Sequence, residues 1–319
     1  MKIKTRRFCL EALFYLVVIL ALLTLLESPV AEAKKALNPG CDTINAIFIS
    51  DRITEVAYRL GVVPVAYCAR CWWPMVQKEL STVARIGCYR YATVESVIKT
   101  AENHKIRLIL VESGYPSIYE KSWNWAKKFG EPLKAKGYHV HLVDFSKGVP
   151  ECILEIGKLL DREEKARELA AKYTNSLQKT MSKIPVSKEN RKILILKGIG
   201  KRGIQVEVPG GYTDQYLLGP LGCVNVGHLV KGQDTEVKRG HFILEDWQAI
   251  AKANPDIIVK YGNPYAVERG LVKAIKKYPE LSGVAAIKNH AIYTLPAYYN
   301  GSVTQYPYVL RAWLDAVYR

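Results

Sequence analysis

The sequence predicts an α/β protein of two Rossmann-like lobes joined by one long α-helix. Three observations carry this expectation. Short apolar runs of strand length alternate with amphipathic helical stretches in two separate blocks. Between the blocks, DREEKARELAAKYTNSLQKTMSKI (161–184) sets Ala166, Leu169, Ala170, Tyr173, Leu177, Met181 and Ile184 three and four residues apart, one apolar face of a helix. The length of 319 residues suits two domains with a core each. The linking helix reads as capped by Asp161 with Glu164 three residues on, and Pro185 ends it. It would span roughly 33 Å at about 1.5 Å per residue. The resulting division is a signal peptide (1–33), an N-terminal α/β lobe (34–150), a helical linker (151–184) and a C-terminal α/β lobe (185–319).

In the first lobe, 46–49 is a compact apolar strand and 51–60 an amphipathic helix closed by Gly61. Residues 62–67 form the second strand, followed by the loop CARCWWPM. A helix over 93–104 leads to a buried strand at 107–111, the turn ESGYPS, a helix over 118–136 and a strand at 138–143. Such alternation implies a parallel sheet covered on both faces, with ligands bound beyond the carboxyl ends of its strands. The second lobe opens with a strand at 192–196. KGIGKRG then reads as a glycine turn rather than a nucleotide cradle, because the strand-like IQVEV follows where a helix would be needed. A helix over 242–253, a strand at 257–260, a stretch at 275–283 leading to a last strand at 291–295, and a terminal amphipathic helix over 308–318 complete it.

Residues 1–33 carry the pattern of an export signal. Lys2, Lys4, Arg6 and Arg7 precede an apolar run at 13–26, and Ala31-Glu32-Ala33 offers small-x-small cleavage. The protein is therefore expected to be periplasmic or otherwise extracytoplasmic, or membrane-anchored if the segment is retained. The net charge of +16 favours anionic partners, but no nucleic-acid-binding motif accompanies it, so nucleic acid is not expected. Six cysteines follow the leader; their pairing is open, and Cys68-x-x-Cys71 reads first as a disulfide or a pair of structural thiols, next as a ligand or metal contact and last as a redox pair.

No Ser-His-Asp order, paired-carboxylate site or H-E-x-x-H motif is present. No enzyme activity, catalytic residue or cofactor is expected, and Cys68 and Cys71 are the metal candidates. The aromatic residues gather where loops meet: Tyr67, Trp72, Trp73 and Tyr115 in the first lobe, Tyr212, Tyr261 and Tyr298 in the second. Together they suggest a cleft that stacks on a large planar ligand. Arg52, Arg90 and Arg202 are among the cations that would suit an anionic one.

The arrangement resembles the substrate-binding proteins of ABC importers for iron–siderophore, haem and cobalamin complexes. ISDRITEVAYRLGVVPVAYC is similar to that family's opening strand, helix, glycine and second strand; Trp73-Pro74 matches the end of its aspartate-tyrosine-proline segment, although the two cysteines do not belong to it. LILVESGYPS, LEDWQAIAKANPDIIVKYG and AAIKNHAIYTLPA are similar to later strands and helices, so the resemblance covers residues 44–316. It implies a ligand cleft between the lobes and capture of a metal chelate, an iron–siderophore first and haem or cobalamin next, by a monomer that delivers it to an ABC permease. By the resemblance, Arg90 and Tyr115 contact an iron chelate, and Trp72 and Trp73 supply aromatic contacts. Glu95 and Glu245 dock on permease arginines. Two other classes remain open: a thiol redox protein using Cys68 and Cys71, and a metal-trafficking protein ligating metal through them.

Overall fold

The computed structural model describes residues 41–70, 75, 78–88, 91–106, 108–113, 125–186, 190–200, 203–238, 240–297 and 303–319. Residues 1–33, expected to be an export signal, lie outside them. Each lobe is built on its own sheet. The first has five parallel strands in the order β3-β2-β1-β4-β5: β1 (Asp42–Ile49), β2 (Val62–Cys68), β3 (Ala84–Gly87), β4 (Leu108–Ser113) and β5 (His139–Asp144). Starting in the middle and moving outward both ways leaves a topological switch at β1, where the loops after β1 and β4 diverge. β3 went unread in the sequence because ARIG is a four-residue edge strand with no fully buried position.

Helices α1 (Asp51–Arg59) and α2 (Val94–Asn103) cover opposite faces, as do α3 (Glu131–Ala135) and α4 (Val149–Leu159). The sequence periodicity explains the packing. Ile53, Val56 and Ala57 of α1 meet Phe48, Leu110 and Tyr67 on one face of the sheet, while Val97 and Ala101 of α2 meet Ile47, Ile49 and Ile109 on the other.

The linking helix is α5 (Glu163–Met181), shorter at both ends than the sequence suggests. Asp161 does not cap it. Asp161 sits in the left-handed region (φ 53°) as the residue that ends α4: Arg162 N–H reaches Gly157 C=O at 2.7 Å, and Asp161 N–H reaches Lys158 C=O at 3.5 Å. This is a Schellman closure, and it consumes the residues that had read as a capping box. Along α5, Ala166, Leu169 and Ala170 join the core of the first lobe, whereas Leu177 and Ile184 pack against that of the second.

Gly157 of α4 sets how closely α5 approaches: a Cβ there would lie 2.2 Å from the Cβ of Ala166. Gly157→Ala is expected to cost about 1–3 kcal/mol by forcing the helices apart, read as a lower urea midpoint. Adding Ala166→Gly should restore most of it.

The second lobe holds β6 (Lys192–Gly198), β7 (Ile204–Glu207), β8 (Val224–Asn225), β9 (His241–Ile243), β10 (Ile257–Gly262) and β11 (Ile292–Thr294), in the order β11-β10-β6-β7-β9 with β8 beside the start of β6. It is not a copy of the first sheet. β7 returns antiparallel to β6, and β9 antiparallel to β7. The glycine turn between β6 and β7 allows this: Gly200 (φ 66°) and Gly203 (φ 101°) make a hairpin in which Ile199 N–H reaches Gly203 C=O at 3.1 Å. The expected helix over 242–253 divides accordingly into β9 and a short helix, because Phe242 pairs with Val206 at the sheet edge.

A helical segment, Asp214–Leu218 continued by α6 (Gly219–Leu221), covers one face together with α10 (Tyr306–Val317). The short α7 (Ala249–Ala253), α8 (Pro264–Lys277) and α9 (Ala285–Lys288) cover the other. A second tie joins the lobes just before α10. The turn Val303–Gln305 docks on α1, burying Val303 in the core of the first lobe, and Thr304 donates its N–H (3.2 Å) and its hydroxyl to the buried Glu55 carboxylate.

Candidate functional site

At the carboxyl edge of the first sheet, four strand ends are tied by one polar network. Ser50, just past β1, accepts the N–H groups of Arg52 (2.9 Å) and Ile53 (3.2 Å), which starts α1, and donates its own hydroxyl to Glu112 at the end of β4. Asp51 accepts the backbone N–H of Arg70, beyond β2, at 2.8 Å and pairs with its guanidinium. Arg52 lies 3.4 Å from the other Glu112 oxygen and 5.5 Å from the ring centre of Phe145, beyond β5. A positive group is thereby held between a carboxylate and an aromatic face.

The second lobe presents an aromatic ladder. Tyr212 stacks on Tyr216 (6.2 Å, 23°), and Tyr216 meets the edge of Tyr306 (6.1 Å, 79°), whose hydroxyl donates to the Tyr216 carbonyl at 2.8 Å. Burial raises the Tyr216 phenol above its ordinary value, and the charge of Arg52 from the other lobe partly offsets this. The two faces are therefore close enough to sense each other.

Beneath the ladder, Tyr261 is 4% exposed and its hydroxyl lies between two groups, donating to Glu207 at 3.1 Å and 2.9 Å from His241 Nε2. Burial pushes Glu207 up to about 7 and His241 down to about 4.

Of the aromatic residues singled out in the sequence, Tyr212 and Tyr261 are brought into this one cluster. Tyr67 is 1% exposed within the core of the first lobe, where burial raises its phenol to about 12. Cys68 is fully buried and its thiol is likewise pushed up to about 12, the reverse of an activated thiol. Cys71, Trp72, Trp73, Arg90, Tyr115 and Tyr298 lie outside the described residues. Among the described residues no three His, Cys, Asp or Glu side chains converge as a metal site, and His141 pairs with Glu155 at 2.7 Å.

Sequence reasoning missed Tyr216, Tyr306 and the Glu207–His241 pairing. Tyr216 was findable as the helical i+4 neighbour of Tyr212. Glu207 had only the signal of a carboxylate inside the strand-like IQVEV.

Both rim glutamates are exposed and follow an edge strand. Glu95 lies in the first turn of α2, beyond the end of β3, where its own backbone N–H and the Thr93 hydroxyl lower its carboxyl below the usual range. Glu245 follows β9 in an irregular stretch, not in the helical turn expected for it. Because β9 runs parallel to β6, the two carboxylates stand at the same, carboxyl edge of their sheets.

Comparison with known proteins agrees with this architecture. The chain is 27% identical over 218 residues to the high-affinity heme uptake system protein IsdE of Staphylococcus aureus, a match that spans 67% of this chain and 66% of that protein. Among solved structures, the periplasmic heme-binding protein RhuT of Roseiflexus sp. RS-1 superposes with a TM-score of 0.58 at 16% identity, covering 87% of this chain and 98% of that one. The vitamin B12 binding protein BtuF of Vibrio cholerae gives 0.58 at 15% identity, covering 86% and 98%. The iron-uptake system-binding protein FeuA of Bacillus subtilis gives 0.55 at 18%, covering 85% and 92%. At these identities the structures speak for the fold. The family model described as periplasmic binding protein matches residues 122–299, more than half of the sequence, and the chain belongs to that family.

Proposed function

We propose that the protein is the extracytoplasmic substrate-binding component of an ABC importer, capturing a metal chelate between its lobes and handing it to a membrane permease. The observation that carries this reading is the pair of facing groups from the two lobes: Arg52 over Phe145 at the carboxyl edge of the first sheet, and the Tyr212–Tyr216–Tyr306 ladder of the second lobe, whose Tyr216 lies within reach of the Arg52 charge. A flat, anionic, partly aromatic ligand satisfies both, stacking on the tyrosines and neutralising the arginine. An iron–siderophore is the first ligand class, with haem and cobalamin next; the relatives are named for heme, vitamin B12 and iron uptake. Trp72, Trp73, Arg90, Tyr115 and Tyr298 belong to the same proposed site by their positions in the sequence. The buried Tyr67 and Tyr261 support its walls.

The action is capture without chemistry, by a monomer exported through its N-terminal segment. α5 and the Thr304–Glu55 contact both join the lobes, so closure on the ligand is small. The alternative of thiol exchange through Cys68 and Cys71 finds no support in the buried, proton-retaining Cys68.

The test is native mass spectrometry with a visible spectrum of protein purified gently from its own envelope. A bound coloured chelate of several hundred daltons is the expected result. Bare metal bound to thiols in its place would overturn the reading in favour of metal trafficking.

A further inference from the structure

Glu207, at the end of β7, is a buried carboxylate of the second lobe, 3% exposed. Every element around it brings a polar or charged group. β10 brings Tyr261, whose hydroxyl donates to it at 3.1 Å; β9 brings His241, 3.8 Å away. β6 contributes the charge of Lys197, and the turn that follows β7 contributes Thr213 and Asp214. Packing against it is equally close. A Cβ on Gly211 would lie 3.0 Å from Glu207 Oε1, and one on Gly227 would lie 2.1 Å from its carbonyl oxygen.

The turn itself is tied by Asp214, whose carboxylate accepts the N–H groups of Gly210 and, at 3.3 Å, Gly211. This turn carries Tyr212 and leads into Tyr216, and its Gly211 packs against the Glu207 carboxyl group, so Glu207 lies under the turn from which the ladder starts.

We propose that Glu207 is a positioning residue whose protonation state sets the order of the Gly210–Tyr216 turn, and with it the aromatic binding face, as the external pH changes. The inference rests on the binding-protein reading for its purpose, but not for its test. Two negative charges, Glu207 and Asp214, would otherwise share a buried site with Lys197 as the nearby cation. Uptake of a proton by Glu207 removes the repulsion and leaves the Tyr261 hydroxyl bonded to Glu207 and to His241.

Burial raises the Glu207 carboxyl from 4.5 to about 7, with Asp214 adding to the effect and Thr213, Tyr261 and Lys197 opposing it. The sign follows from linkage. Between about 4.5 and about 7 the folded chain holds a proton that the unfolded chain has lost, so folding weakens as pH rises through this window and levels off above it. His241, lowered from 6.5 to about 4, stays neutral in the folded chain but is protonated below about 6.5 once unfolded. It therefore makes folding strengthen as pH rises to about 6.5, opposite in sign to Glu207, and the comparison with Glu207→Gln separates the two.

The experiment is urea unfolding of the ligand-free protein at intervals from pH 5 to 8.5, in wild type and Glu207→Gln, with amide hydrogen exchange of residues 208–216. Relative to the Gln variant, the wild-type folding constant should fall by roughly a hundredfold between pH 5 and pH 8, up to tenfold per pH unit for one proton. The turn amides of the wild type alone should lose protection over the same range. Parallel unfolding profiles would overturn the protonation, and unchanged exchange in the turn would overturn the positioning role. If Glu207→Gln does not fold, the side-chain carboxyl resonance of wild-type Glu207 decides: a midpoint near 7 is expected, and one near 4.5 would overturn the proposal. None of these measurements uses a ligand, so failure of the binding-protein reading would show separately, in the mass spectrum.

Discussion

Trp313→Ala is expected to destabilise the second lobe by about 3–5 kcal/mol, the usual cost of removing a large aromatic side chain from a closed core. Trp313 is 1% exposed, packed with Ile195, Leu217, Val259 and Leu310 between α10 and the sheet. Its indole N–H also donates to the Pro296 carbonyl at 2.9 Å, so truncation leaves both a void and an unpaired acceptor. Calorimetry should show a midpoint lowered by on the order of 10 °C. Tyr308→Ala on the same helix is the control: that ring is 73% exposed, and its loss should change stability by less than about 0.5 kcal/mol. Equal effects of the two variants would mean that α10 does not close this core.

What the sequence made legible follows from how many signals each element carries. β1, β2, β4, β5, β6 and β10 are apolar runs bounded by turns, and α1, α2 and α10 have continuous apolar faces. Pattern and burial agree in all of them. The misreadings fall where one local signal serves two structures. Asp161 and Glu164 have the spacing of a capping box, but Asp161 is also able to adopt the left-handed conformation that ends α4, and the tight approach of Gly157 to Ala166 requires the chain to turn there. Phe242 to Leu244 has apolar residues compatible with either period, and only the partner strand β7, 36 residues earlier in register at Val206↔Phe242, decides for extended backbone.

The site was half legible for a related reason. Tyrosines in loops announce themselves one by one, so Tyr212 and Tyr261 stood out. Their roles depend on contacts across the sheet that no local pattern encodes. Tyr261 points inward to Glu207 and His241, while Tyr216, which has no turn signal of its own, carries the half-buried ladder. Arg52 illustrates the same point: its sequence neighbours Ser50 and Asp51 suggested a helix start, but its seat between Glu112 and Phe145 comes from β4 and β5.

The variant with both Glu95→Ala and Glu245→Ala is expected to lose uptake by at least about tenfold while retaining affinity for the bound chelate. Both carboxylates are exposed and far in sequence from one another, yet each follows the edge strand of its own sheet, β3 in one lobe and β9 in the other. That placement gives a partner two charged handles on one rim, one per lobe, and a partner with two matching arginines would hold both lobes in a fixed relation above the cleft. The carboxyl of Glu95 is held below its usual range by its backbone N–H and Thr93, so it stays ionised well below neutral pH. Neither residue lies in a core, and folding should be unchanged. Transport into cells, measured beside equilibrium binding by the purified protein, separates the two roles. Charge reversal to lysine should be more severe than alanine, because like charges then face each other. A double alanine variant that transports at the normal rate would remove these glutamates from the docking surface, whereas one that also binds ligand poorly would move them into the site.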